Sequence, residues 1–226
     1  MSRGGSGAGG PEAAASRTIG AADRVLGAAA GWRAAGTSRR GVIVLAIDGH
    51  GAAGKSTIAE AVATATRAAL VHTDDFFLAQ PPRAGRPVRP GRPPSVPAMT
   101  DYYDWRRLRV QALEPLRARL GAAFRRFDWE RGSGLDGTVT VEPSDLILVE
   151  GVYSSAPDLR DLVDRSVFVD TPEPERLRRL RGRVKPEEWD DQWLLAERAY
   201  FDVIRPPSSF DLIVSGADLP PELTRR

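Results

Sequence analysis

The chain has 226 residues, enough for one domain of ordinary size with a full hydrophobic core. Its 32 basic residues are nearly matched by 30 acidic ones, so the net charge of +2 gives no indication of nucleic-acid binding. It contains no cysteine and two histidines, His50 and His72, which excludes disulfides and cysteine metal sites and argues against a histidine metal cluster.

The N-terminal part divides into two segments by composition. Residues 1–16 are mostly Gly, Ser and Ala, and we expect a disordered tail because they cannot bury enough apolar surface. Residues 17–40 are Ala-rich with a few larger apolar side chains, which predicts a helix and a linker. No stretch reaches the roughly 18 consecutive apolar residues of a membrane span, and the N-terminus lacks the apolar core of a secretory signal. We therefore expect a cytoplasmic protein with no membrane partner.

Residues 41–226 alternate short apolar runs with helical patterns and are predicted to form the main domain. Five runs read as buried strands: 42–47, 69–71, 146–149, 167–169 and 212–214. Helices are predicted over 55–67, 105–120 and 189–204, and residues 80–98 are predicted to form an irregular Pro/Arg loop. This order predicts an α/β fold, a three-layer sandwich with a central, mostly parallel five-stranded sheet. We expect the strand at 69–71 to lie beside the first strand.

A phosphate-binding loop follows the first strand. The run Gly49-His50-Gly51-Ala52-Ala53-Gly54-Lys55-Ser56 matches G-x-x-x-x-G-K-[ST], and a helix follows it. Glycines let backbone N–H groups approach phosphate oxygens, Lys55 reaches the β- and γ-phosphates, and Ser56 offers a hydroxyl to Mg²⁺. We assign residues 49–57, including Thr57, to nucleotide binding, and expect His50 to vary freely. The alternative is a chance turn in a Gly-rich chain.

Acidic residues stand where the predicted strands end. They are Asp48, Asp74, Asp75, Glu150 and Asp170. Because ligands bind beyond the carboxyl ends of parallel strands, we expect Glu150 to hold Mg²⁺ together with Ser56, and Asp74 to accept the proton of an attacking hydroxyl. Capping or hydrogen bonding is the alternative for each, above all for Asp75. Asp48 could contact water molecules bound to the metal or could brace the loop, and the sequence favours neither role. His72 is expected to be a structural residue.

An arginine-rich run follows the fourth strand. It comprises Arg176, Arg178, Arg179, Arg181 and Arg183. A solvated helix face explains such a run, but one or two of these arginines could also neutralise charge that develops on transferred phosphate.

These residues resemble the uridine kinase family of P-loop phosphotransferases, whose relatives include phosphoribulokinase and bacterial pantothenate kinase. The resemblance covers about residues 41–215 and implies that the predicted sandwich is a P-loop NTPase fold. Beside the phosphate loop, it rests on Asp74-Asp75-Phe76-Phe77, Tyr102-Tyr103-Asp104-Trp105, Phe127-Asp128-Trp129, Leu148-Val149-Glu150-Gly151 and the arginine run.

The resemblance implies a role for each segment. Asp74 would be the general base, Tyr103 and Asp104 would help to hold a ribose, and Phe127 and Trp129 would lie beside a nucleobase. The arginine run would form a lid, with Arg179 as the single best choice for contacting phosphate. The chain departs from the family at Phe127, which replaces a tyrosine, and at residues 130–131, where the histidine that reads the pyrimidine has no counterpart.

Together these features predict a kinase that transfers phosphate from ATP, with Mg²⁺, to a hydroxyl of a small molecule. A nucleoside is the first choice, and a sugar, a vitamin precursor or an antibiotic comes second. A P-loop regulatory ATPase remains open, as does a nucleoside monophosphate kinase that uses Arg83, Arg86, Arg89 and Arg92. The sequence leaves the acceptor, the donor nucleotide and assembly into a homo-oligomer undetermined.

Overall fold

A computed structural model of the chain describes residues 11–36, 41–78, 102–182 and 191–217. The side chains of residues 11–19 and 191–192 are outside this description. Predictions that concern residues 1–10, the 80–98 loop and Arg183 therefore lie outside the described part of the chain.

The centre of the fold is a five-stranded parallel sheet, as predicted. Its strands are β1 (Ile43–Asp48), β2 (Ala69–His72), β5 (Leu146–Glu150), β6 (Arg165–Asp170) and β7 (Leu212–Ser215). Their order is β2-β5-β1-β6-β7, and every pair is parallel. The expected pairing of β2 with β1 is wrong, because β5 lies between them.

Side chains of β1 alternate between two apolar cores, one on each face of the sheet. Ile43, Leu45 and Ile47 face α1 (Pro11–Ala34) and α2 (Lys55–Thr66). Val42 and Val44 face the opposite layer. Both faces of β1 are covered, which explains its unbroken apolar sequence and gives the three layers of the predicted sandwich.

The first helix is longer than predicted. It begins at Pro11, inside the segment 1–16 that we expected to be disordered, and ends at Ala34. Proline is well suited to a first helical position, and the alanines after it favour the helix. The helix packs against β7 as well as α2, and Arg24 Nη2 donates to the carbonyl oxygen of Ile213 at 3.1 Å.

The second layer contains two interrupted helices. One runs from α3 (Trp105–Leu108) through a π-helical turn (Arg109–Leu113) into α4 (Glu114–Arg117), and the other from α6 (Asp191–Ala199) into a π-helical turn (Tyr200–Ile204). A π-turn takes an extra residue, which rotates the following side chains around the axis. Ile204, predicted to lie on the apolar stripe, is accordingly 46% exposed.

An antiparallel hairpin was not predicted. Strands β3 (Ala122–Phe127) and β4 (Leu135–Val141) form it, and β3 packs on a 3₁₀ turn (Thr73–Phe76) that follows β2. Alternating apolar residues in both strands and the glycines between them are a hairpin signal. The hairpin brings residues 127–129 towards the end of β2. A further helix, α5 (Glu173–Arg181), follows β6.

Candidate active site

The phosphate loop joins the central strand β1 to α2. Gly49 has φ 143°, and a Cβ there would lie 2.6 Å from a carbonyl oxygen of β6, so this position requires glycine. Gly54, with φ 95°, caps α2, whose first residue is Lys55. The Lys55 ammonium donates to the carbonyl oxygen of His50 at 2.8 Å, across the loop. The N-terminus of α2, with its first N–H groups, thus lies beyond the carboxyl end of β1. Helix N-termini bind phosphate in proteins.

Neighbouring elements hold the carbonyl groups of this loop. Thr171 Oγ1, beyond β6, donates to the carbonyl oxygen of Ala53 at 2.9 Å. Arg179, on α5, donates to the carbonyl oxygen of Ala52 at 3.3 Å. These bonds fix the loop from the side of β6 and α5, and binding an anion to a loop held in this way costs little ordering.

Asp48 braces the loop from below. It is fully buried at the end of β1, and its carboxylate accepts bonds from the N–H groups of Gly49, Tyr153 and Ser155 and from the hydroxyls of Ser155 and Tyr200. With this many donors, the carboxylate is committed to holding the backbone. Of the two roles that the sequence left open, the structure favours bracing.

Glu150 lies between the loop and the second strand. Its carboxylate accepts from Ser56 Oγ at 2.9 Å and lies 2.7 Å from His72 Nδ1. Burial would raise the pKa of Glu150, but the bond with His72 and the charge of Lys55 lower it below its ordinary value. The group is therefore ionised at neutral pH, directly beside the hydroxyl predicted to share a metal with it.

These two oxygen donors suit a hard cation such as Mg²⁺. Among the described residues, no group of three or more His, Cys, Asp or Glu side chains could hold a metal by itself. A Mg²⁺ ion held by Ser56 and Glu150 would take its remaining ligands from phosphate oxygens and water, which is how Mg²⁺ binds with nucleotides.

Asp74 lies just beyond β2, in the 3₁₀ turn, and accepts a hydrogen bond from the Tyr103 hydroxyl at 3.1 Å. Solvent reaches the carboxylate, although protein atoms surround it. This desolvation and the charge of Glu150 raise the pKa of Asp74, while Lys55 and the Tyr103 bond lower it. A carboxylate with a raised pKa is a stronger base than an ordinary aspartate, in keeping with the predicted role.

Arg179 does not lie where a phosphate-binding lid residue is expected. It is 4% exposed, and its guanidinium donates to the carbonyl oxygens of Ala52, Gly216 and Ala217. The structure therefore assigns Arg179 to bracing the phosphate loop against the end of β7. Spacing along a helix cannot reveal which arginine faces inwards.

Arg176 also faces inwards from α5 and lies beside Glu197. It is 6% exposed, one turn earlier on α5, and its Nε donates to the carbonyl oxygen of Thr171 at 3.2 Å. Its Nη1 lies 4.0 Å from a Glu197 carboxylate oxygen that itself touches the loop.

Six aromatic rings form a wall beside Asp74: Phe77, Tyr102, Tyr103, Phe127, Trp129 and Trp193. Phe127 is buried, whereas Trp129 is 57% exposed and lies 5.0 Å from Phe77, between ring centroids. Trp129 is thus the solvent-exposed member of the predicted pair. Asp104 caps α3 by accepting from Arg107 N–H at 3.0 Å, which favours a structural role.

Sequence reasoning missed Glu197 and misjudged His50. The His50 ring packs 4.4 Å from Phe201, and its Nδ1 lies 3.1 Å from Glu197, so this loop position is not free to vary. Glu197 also accepts from Gly51 N–H and Trp193 Nε1. The signal was present in the sequence: Glu197 is a carboxylate on the apolar stripe that contains Trp193 and Tyr200.

Two predictions about this region fall on residues that are not described. The 80–98 loop, with Arg83, Arg86, Arg89 and Arg92, is one, and Arg183 of the arginine run is the other.

None of the helices in the described ranges combines the length and the hydropathy needed to cross a bilayer.

In sequence, the chain is similar to a uridine kinase from Macrococcus caseolyticus (strain JCSC5402). The two are 30% identical over 116 residues, which is 47% of this chain and 56% of the relative. The chain thus matches about half the length of this curated relative. No protein-family model matches the chain.

In structure, the chain is similar to a possible uridine kinase from Bacillus stearothermophilus, with a TM-score of 0.61 and 21% identity over 88% of this chain and 97% of the other. A proposed fructose transport system kinase from Silicibacter sp. TM1040 has a TM-score of 0.52 and 23% identity, over 83% of this chain and 98% of the other. At these identities the likeness shows the fold alone. The chain shares with both structures an α/β fold, here built on a central parallel sheet.

Proposed function

We propose that this chain is a small-molecule kinase of the uridine kinase-like family, which phosphorylates a hydroxyl of a nucleoside with ATP. One observation carries the proposal: a phosphate loop with its lysine lies on one side of Glu150, and Asp74, with a raised pKa, lies on the other side. The sequence similarity to a uridine kinase supports the choice of family.

The phosphate loop and Lys55 would bind the triphosphate of ATP. The backbone N–H groups and the helix start carry partial positive charge, and the Lys55 ammonium can swing from the His50 carbonyl to the β- and γ-phosphates. Ser56 and Glu150 would hold Mg²⁺, which supplies charge neutralisation at these phosphates when it is bound.

Asp74 would accept the proton. As the acceptor oxygen forms its bond to the γ-phosphorus, the hydroxyl proton passes to the Asp74 carboxylate. The bond from phosphorus to the β,γ-bridging oxygen breaks, and ADP leaves with that electron pair. Arg176, which lies 4.0 Å from the Glu197 carboxylate that contacts the loop, would neutralise charge as it develops.

The aromatic wall would bind the acceptor. Trp129 and Phe77 present rings beside Asp74, and flat rings stack on such surfaces with offset or edge-to-face geometry. A nucleoside combines a flat base with ribose hydroxyls and therefore suits both the wall and Asp74. The departures from the family at Phe127 and at residues 130–131 lie in this region, so the base need not be uracil.

The test is a screen of nucleosides, sugars and small alcohols for phosphorylated product, read by mass, together with ATP consumption. We expect ATP consumption to depend on the acceptor and a nucleoside to be the best substrate. Phosphorylation of sugars alone would replace the acceptor class. ATP hydrolysis that is indifferent to every acceptor would contradict the kinase proposal and favour a regulatory ATPase.

Asp74→Asn is the matched variant for the mechanism, because it keeps the shape of the side chain and removes the base. We expect turnover to fall by about 10²–10⁴-fold, the usual contribution of general base catalysis, while nucleotide affinity changes little. Near-normal turnover would remove Asp74 from the mechanism.

A further inference from the structure

Glu197 places a buried carboxylate on the phosphate loop. Its side chain is 1% exposed, and its two oxygens lie 3.1 and 3.2 Å from the N–H of Gly51. His50 Nδ1 lies 3.1 Å from the same group. The fit is close, since a Cβ on Gly51 would lie 3.0 Å from Glu197 Oε1. Glu197 is therefore held by the loop itself.

The same carboxylate also contacts the aromatic wall. Trp193 Nε1 donates to Glu197 Oε1 at 2.6 Å. The Trp193 ring lies 6.4 Å from that of Tyr103, between centroids, and the Tyr103 hydroxyl donates to Asp74. A continuous series of contacts thus runs from the Gly51 N–H through Glu197, Trp193 and Tyr103 to Asp74.

We propose that Glu197 is a positioning residue that links the phosphate loop to the aromatic wall, so that nucleotide bound in the loop orients Trp193 and, through Tyr103, the base Asp74. Its place in catalysis rests on the proposed kinase function. The link itself is a property of nucleotide binding and can be measured without turnover.

The chemistry of the reaction gives this link a purpose. A base that is oriented only when nucleotide occupies the loop is ready for the acceptor hydroxyl when a phosphate donor is present. Glu197 contacts both the loop and the aromatic wall, so nucleotide binding in the loop can change the arrangement of the acceptor side. The complete site then forms when both substrates are bound. Arg176, 4.0 Å from Glu197, would respond to the same contact.

The first experiment follows Trp193 by ¹⁹F NMR in protein labelled with 5-fluorotryptophan. The chain has five tryptophans, and Trp193→Phe assigns the resonance of Trp193. We expect Mg·ADP to shift this resonance in the wild-type protein. In Glu197→Gln, Mg·ADP should still bind, within about threefold of the wild-type Kd, but the Trp193 shift should fall by more than about half.

Glu173→Gln is the control with the same chemical change. Glu173 is a surface residue of α5 that pairs with Arg198, and the Trp193 response should be unchanged in this variant. A silent Trp193 in the wild type, or an equal response in Glu197→Gln, would overturn the link. Nucleotide binding that tightened more than about tenfold in Glu197→Gln would overturn it too, since Glu197 would then compete with phosphate for Gly51.

The second experiment measures kinetics with the best acceptor from the screen. Glu197→Gln should lower kcat/KM for the acceptor by about tenfold, with the KM for ATP little changed. Trp193→Phe, which removes the indole donor and keeps an aromatic ring, should have the same effect, and the double variant should lose no more than either. If the losses of kcat/KM in the two single variants add in the double variant, Glu197 and Trp193 do not act together. If Glu197→Gln lowers the Tm and leaves the kinetics unchanged, Glu197 is only a structural residue.

The two proposals fail in different ways. If no acceptor is phosphorylated but the Trp193 resonance still responds through Glu197, the kinase proposal is wrong and the link stands. If an acceptor is phosphorylated and Trp193 does not respond, the link is wrong and the kinase proposal stands.

Discussion

Replacing Tyr103 with phenylalanine should move the acid limb of the pH–turnover profile to higher pH. Asp74 must be ionised to accept a proton, so turnover rises with pH through its pKa. Burial and Glu150 already raise this pKa, and the hydrogen bond from Tyr103 opposes them by favouring the ionised form. Without the hydroxyl, the pKa should rise further.

The magnitude follows from one hydrogen bond to a charged group. Such a bond contributes about 1.5–3 kcal/mol, and one pH unit corresponds to about 1.4 kcal/mol. Solvent reaches Asp74 and would replace part of the lost bond, so the lower end of this range applies. We expect a shift of about 1 pH unit, with the plateau of kcat at high pH reduced much less than in Asp74→Asn.

The assay is kcat as a function of pH at saturating ATP and acceptor, because kcat reports the groups that titrate in the bound complex. Asp74→Asn is the control, and its residual turnover should lack the acid limb. If the acid limb stays in place in Tyr103→Phe or moves to lower pH, the reasoning is refuted. Either Asp74 is not the base, or the hydrogen bond from Tyr103 does not favour its ionised form.

Three further variants test other parts of the site. Lys55→Ala should lower turnover by at least about 10³-fold with an unchanged circular dichroism spectrum, and an active folded variant would contradict the phosphate-loop assignment. Glu150→Gln should raise the Mg²⁺ concentration for half-maximal turnover by about tenfold or more, and an unaltered Mg²⁺ dependence would remove Glu150 as a metal ligand. Arg179→Ala should destabilise the fold by about 2–4 kcal/mol, measured by denaturant unfolding, because three backbone carbonyls lose their donor. The exposed Arg178→Ala should leave stability unchanged, and equal stability of both variants would refute the bracing role.

The sequence predicted the parts of the site that depend on local pattern. The phosphate loop has a spacing that its chemistry requires, and the unbroken apolar runs reflect strands covered on both faces. Asp74 and Glu150 were predicted because the ends of parallel strands meet at one edge of a sheet, whatever the order of the strands. The structure places both at that edge.

The parts that were missed depend on tertiary packing. The expected pairing of β2 with β1 was wrong because an apolar run carries no information about which strand it will pair with. Arg179 and Arg176 are a few residues apart on one helix, and only the packing of α5 decides that Arg179 contacts the loop carbonyl of Ala52 while Arg176 lies beside Glu197. Glu197 was overlooked because its stripe was interpreted as ordinary core, although a carboxylate in such a stripe needs donors from somewhere.

The position of β5 between β1 and β2 sets the size of the space in which a transfer could take place. Strands in a sheet are about 4.8 Å apart, so the phosphate loop beyond β1 and Asp74 beyond β2 begin about 10 Å from each other. That distance admits a terminal phosphoryl group and an incoming oxygen between them. If β2 lay directly beside β1, Asp74 would begin only one strand spacing from the phosphate loop. Its carboxylate would then lie against the bound phosphate, the two negative charges would repel each other, and no space would remain for the acceptor.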